Sequence, residues 1–116
     1  MTCKILQMSH LIGRKWTIAI LCEIAADNFD SFNGFLRKSK GRLTPRGLSI
    51  VLKEMENAGF VEKDGNGVAS HYILTPKGMG LYKIIMQMKS WNVEWNNADS
   101  SCARKSCIEC SYFMRG

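Results

Sequence analysis

A mainly helical domain carrying one small β-hairpin is the fold this sequence predicts, and three observations predict it. Apolar residues recur at helical spacing along most of the chain. Between residues 60 and 74 the period changes to short strand-like runs on either side of the turn-rich segment DGNGVAS. Two threonine–proline pairs, Thr44-Pro45 and Thr75-Pro76, mark helix starts. A threonine hydroxyl can accept a bond from an orphan backbone N–H there, and a proline in the first turn lacks only an N–H that has no partner anyway.

The elements follow in order. Residues 4–12 form a short helix with Ile5, Met8, Leu11 and Ile12 as its apolar face, and Gly13 interrupts it. Residues 15–26 read as a mostly buried helix, with Ile18, Leu21, Cys22 and Ala25 along one stripe and Trp16, Ile20 and Ile24 widening it. Ser31 caps a short helix, 32–38, that turns Phe32, Phe35 and Leu36 inward. After the basic turn KSKGR a helix runs over 45–58, burying Leu48, Leu52 and Met55 and stopping at Gly59. Phe60–Lys63 and His71–Leu74 pair as the hairpin. The last helix covers about 77–96, and its apolar residues exceed the single stripe that a core of this size needs. That surplus leaves two readings: contact with a second copy of the chain, or cover by the 4–12 helix. Residues 1–97 make the domain, and 98–116 form a tail with cysteines but no periodicity.

This order places a helix-turn-helix at 31–58 and a wing at 60–74, a winged helix-turn-helix with terminal dimerisation helices. In such a pair the second helix lies in the major groove and the first crosses the backbone. Charge agrees. The chain holds 16 Lys and Arg against 10 Asp and Glu. Arg37, Lys38, Lys40, Arg42, Arg46 and Lys53 lie together with no acid among them, and the ten remaining basic residues balance the ten acids. A clustered excess attracts a polyanion, because each neutralised phosphate releases counterions. Arg46, Ser49, Ile50 and Lys53 share the face left free. Arg46, in the first turn, suits a guanine edge, while Lys38, Lys40 and Arg42 suit phosphates. No run of about 18 apolar residues exists, which excludes a membrane-spanning helix. The N-terminal segment lacks a secretory h-region, so the expected compartment is the cytoplasm, where thiols stay reduced. The two histidines, His10 and His71, form no visible nucleophile–base pair, and there is no phosphate loop, so no enzyme is expected.

With these pieces in place, the chain resembles the HxlR-type transcriptional regulators, winged-helix proteins related to the MarR group. The resemblance spans about residues 3–95. It rests on Cys3, Gly13-Arg14-Lys15-Trp16-Thr17, Ile20-Leu21, Phe32 with Leu36-Arg37, and Leu43-Thr44-x-Arg46-x-Leu48 with Leu52, Met55 and Glu56. Gly59-Phe60-Val61 and Tyr72-x-Leu74-Thr75-x-x-Gly78 complete it. It implies a homodimer that binds a pseudo-palindromic operator in double-stranded DNA, with half-sites about one helical turn, roughly 34 Å, apart. By position it implies that Thr44, Arg46, Ser49, Ile50 and Lys53 fall on the recognition helix, and Lys63 through Ser70 on the wing. This chain departs from the family pattern at Lys4, at Phe35 and in the wing, where Asp64 is the single charge between Lys63 and Tyr72. Asn66, Ser70 and His71 remain as neutral donors to DNA. The alternative function is a winged-helix protein-interaction module with incidental DNA contact.

Five cysteines occur, at positions 3, 22, 102, 107 and 110. The resemblance implies redox sensing by Cys3; an idle N-terminal cysteine is the other reading. Cys22 reads as a core residue. Cys102, Cys107 and Cys110 are spaced C-x4-C-x2-C, three quarters of a four-thiolate site. Three readings stay open for them: a zinc ion or iron–sulfur cluster, a disulfide switch, or an idle tail.

Overall fold

Thr44 and Thr75 cap the two longest helices, each hydroxyl accepting from the backbone N–H three residues on. The fold is that of a computed structural model describing residues 3–26, 29, 31–64, 71–97, 102 and 107–110. Its elements are α1 (Lys4–Ile12), α2 (Lys15–Ala25), α3 (Phe32–Lys38), α4 (Pro45–Asn57), β1 (Val61–Asp64), β2 (His71–Leu74) and α5 (Pro76–Trp95). A 3-10 turn, Cys107–Glu109, follows. β1 and β2 pair antiparallel, with Val61 opposite Leu74 and Lys63 opposite Tyr72. The architecture is the winged helix-turn-helix expected from the sequence.

α2 is the hub. It packs against α1, α4, α5, β2 and the 107–109 turn, and Ala19, Ile20 and Leu21 are wholly buried. Leu48, Val51, Leu52 and Met55 of α4 meet it from one side, and Leu81 and Ile85 of α5 from another. Phe35 closes the α3 corner, stacked on Phe29 with ring centroids 5.3 Å apart and edge-on to Trp16 at 6.3 Å.

The joint between α4 and the wing is tightly built. Gly59 takes φ +84, the left-handed conformation that glycine adopts without steric cost. Gly59 N–H then donates to Glu56 and Phe60 N–H to Met55, a Schellman closure. Phe60 therefore belongs to the helix stop, and the strand starts one residue later than the sequence pattern alone suggests. The same joint receives α5. The Thr75 hydroxyl donates to the Gly59 carbonyl, Thr75 N–H to the Phe60 carbonyl, and the Lys77 ammonium to the Ala58 carbonyl at 2.7 Å. Gly78 lies so close to Phe60 that a Cβ there would run into the Phe60 carbonyl.

The tail expectation changes. Ile108 is only 6% exposed and joins the core cluster. Part of the segment read as a tail thus packs against α2. The expected boundary after residue 97 falls next to residues 98–101, outside the described residues.

Candidate nucleic-acid interface

The turn from α3 into α4 is set by its backbone. Lys40 and Gly41 both take left-handed conformations, with φ +54 and +80. Ser39, buried, donates its hydroxyl to the Leu36 carbonyl at 2.6 Å and closes α3. This reversal brings Arg42 and Thr44 to the surface just before α4. Thr44 is exposed, and its oxygen is already used as acceptor by Gly47 N–H at 2.9 Å. The hydroxyl proton remains for an outside acceptor.

α4 is divided lengthwise. Leu48, Val51, Leu52 and Met55 are buried, while Arg46, Ser49, Ile50 and Lys53 are all exposed. Positions 46, 49, 50 and 53 follow the spacing of one helical face. Arg46 and Lys53 form no ion pair with any described residue. Of the two acids of α4, Glu54 is paired with Arg14 of the α2 start at 2.9 Å, and Glu56 is exposed near the C-terminal end, so the first turns of the face carry positive charge alone. Lys40 and Arg42 are exposed beside it.

Lys38 belongs elsewhere. Its ammonium contacts Glu23 at 2.9 Å, and the Glu23 side chain is 0% exposed. The expectation that Lys38 grips phosphate is corrected to this extent: its charge is committed to a carboxylate buried in α2, which is costly to leave uncompensated. Glu23 was not singled out from sequence, although an acid inside the apolar run KWTIAILCEIAA is the signal that finds it.

On the wing, Lys63 is exposed. His71 lies on β2, opposite Asp64. Asn66 and Ser70 lie outside the described residues.

The cysteines fall into a different pattern from the one their spacing suggests. Cys3 is exposed at the start of α1. Among the described residues no three His, Cys, Asp or Glu side chains gather as a metal site, so Cys102, Cys107 and Cys110 do not come together as the expected ligand set. Cys107 lies on the turn packed against α2, where its side chain interacts with Cys22. The Lys89 ammonium of α5 acts on both sulfurs and is buried at 8% exposure. The bond from Cys22 and the nearby ammonium outweigh burial and hold the Cys107 thiol down at about 6. Its bond to Cys107, with burial, pushes the Cys22 thiol far up. Burial disfavours the Lys89 charge, but the charges of Cys22, Cys107 and Cys102 prevail and raise its pKa. Lys89 continues the inward stripe of Leu81 and Ile85 at four-residue steps, which is the sequence signal for its burial.

A helix that exposes Arg46 and Lys53, displayed by a helix-turn-helix beside a two-stranded wing, defines the winged-helix class. Comparison places the chain more closely. The profile of the HxlR-like helix-turn-helix family matches residues 11–100, and the chain belongs to that family. An uncharacterized HTH-type transcriptional regulator of Methanocaldococcus jannaschii is 32% identical over 91 residues, covering 77% of this chain and 82% of its own length. The uncharacterized HTH-type transcriptional regulator YdzF of Bacillus subtilis is 30% identical over 86 residues, covering 72% and 78%. A relative of the same description from Halalkalibacterium halodurans is 32% identical over 90 residues, covering 75% and 79%.

Proposed function

We propose that the protein is a homodimeric, sequence-specific DNA-binding transcriptional regulator that lays α4 in the major groove of a pseudo-palindromic operator. The observation that carries this reading is the division of α4, with every core-facing position apolar and Arg46, Ser49, Ile50 and Lys53 exposed on the other side. The names of the relatives support the regulatory class. Arg46 reads a base edge, and Lys53, Arg42, Lys40 and Lys63 hold phosphates. The protein acts where the chromosome lies, in the cytoplasm, and no helix among the described residues is long and apolar enough to cross a membrane. Cys3, exposed at the start of α1, is the thiol through which an oxidant first meets the regulator.

Selection of bound duplexes from random DNA, followed by titration across salt concentrations, tests the reading. The expected result is a two-fold symmetric consensus with half-sites about 34 Å apart, and affinity that falls steeply with salt. Failure to enrich any sequence, or affinity that ignores salt, would overturn it.

A further inference from the structure

The Cys22–Cys107 contact lies outside the residues proposed to meet DNA, and the spacing of the tail cysteines does not lead to it. Cys22 is 5% exposed on α2, whereas Cys107 is half-buried at the molecular surface. Ile108 anchors the turn in the core, the turn packs against α2, and the Cys22 and Cys107 side chains interact there. Lys89 supplies a buried positive charge against both. One thiol is thus reachable from solvent, its partner is hidden behind it, and a fixed cation stands beside the pair. We propose that Cys22 and Cys107 are an oxidisable dithiol that a hydroperoxide closes to an intrachain disulfide, Cys107 attacking first and Cys22 resolving.

The chemistry balances with peroxide as the oxidant. The Cys107 thiolate attacks one peroxide oxygen. An S–O bond forms as the O–O bond breaks, and the departing hydroxide takes the proton that Cys107 released on ionising, giving water. Cys107 has then lost two electrons and is a sulfenic acid. The Cys22 sulfur attacks the Cys107 sulfur next. The S–S bond forms, the S–O bond breaks, and hydroxide leaves with the Cys22 proton as a second water. Two thiols and one peroxide become one disulfide and two waters. Lys89 favours the first step by holding Cys107 as thiolate, the reactive form. Closure ties α2 to the 107–109 turn and takes that thiolate away from Lys89, so the disturbance passes into α5.

This inference stands apart from the DNA reading and from redox sensing at Cys3, and its test needs no DNA. The reduced full-length protein is treated with a small excess of hydrogen peroxide at pH 7, quenched with N-ethylmaleimide and digested with trypsin without reduction. The peptide containing Cys22 is expected to be joined to residues 106–115 by a disulfide, with the undigested protein running as a single chain on a non-reducing gel. In Cys110→Ala the cross-link persists. In Cys107→Ala, whose half-buried site tolerates the smaller side chain, the Cys22 peptide stays free. In Cys22→Ala, dimedone traps a sulfenic acid at Cys107. Lys89→Met is expected to slow Cys107 alkylation about tenfold at pH 7, because the gain in thiolate is partly offset by its lower nucleophilicity, and Lys89→Arg should restore most of the rate. Cross-links through Cys3, Cys102 or Cys110 with Cys22 left reduced would overturn the proposal. So would an interchain product at Cys107, or its overoxidation without any cross-link.

Discussion

Lys38 and Lys40 stand two residues apart, and the structure gives them different work. Lys38 compensates Glu23, whose carboxylate has no exposure at all, while Lys40 is exposed on the turn before α4. Removing one partner of a buried pair is usually worse than removing both, since the remaining charge is less well compensated. Lys38 is 42% exposed, so water screens part of the attraction. Lys38→Ala is expected to lower stability by about 1–2 kcal/mol in urea titrations, and adding Glu23→Gln should recover much of the loss. Lys40→Ala should leave the urea midpoint nearly unchanged. Gly78 is a second position where one atom decides the outcome. A methyl group there meets the Phe60 carbonyl, and the backbone on that side is held by the Thr75 bonds. Gly78→Ala should therefore cost about 2–3 kcal/mol, the usual penalty for overpacking a rigid site, read as a lower midpoint with unchanged slope. The glycine was visible in the sequence, but its reason was not, because the reason is a contact with a residue 18 positions away.

At the scale of elements, local signals wrote most of the fold. Thr44-Pro45, Gly59 and the 48–52–55 stripe locate α4 to within one residue, and Thr75-Pro76 does the same for α5. Those signals are short-range, so a sequence displays them directly. The cysteine pair was illegible for the opposite reason. Cys22 and Cys107 meet only after the chain has passed through three helices and a hairpin, and spacing within the tail carries no trace of that meeting. The exposed face of α4 makes its own prediction. Arg46→Ala should cost about 1–3 kcal/mol on a selected operator and much less on random DNA, relaxing preference at one base pair. Lys53→Ala should weaken binding to both alike and flatten the salt dependence by about one counterion. Equal losses on operator and random duplex for Arg46→Ala would remove it from base reading.

Across the whole molecule, apolar surface remains where no described residue covers it. α1 buries only Leu11 fully and exposes Ile5 and Leu6. A nine-residue helix with so little burial gains little from its own backbone bonds. On α5, Ile84, Met88, Trp91 and Trp95 form one exposed stripe, with Trp91 56% exposed, and an open groove lined by Met86, Gln87, Ser90, Trp91 and Glu94 runs beside it. Large aromatic residues left in water along a helix mark an interface. The proposed dimer covers both terminal helices at once, and it sets the distance between two copies of α4. Trp91→Glu places an unpaired charge in that contact, and Ile84→Ala trims it without adding charge. Sedimentation velocity should show Trp91→Glu as a monomer with its helix content intact, and Ile84→Ala as a dimer weakened by about 2 kcal/mol or less. Because two linked half-site contacts bind far more tightly than one, the monomeric variant should lose about 10²-fold or more in operator affinity. A Trp91→Glu protein that stays dimeric, or that binds the operator as a monomer with undiminished affinity, would place the contact between copies elsewhere.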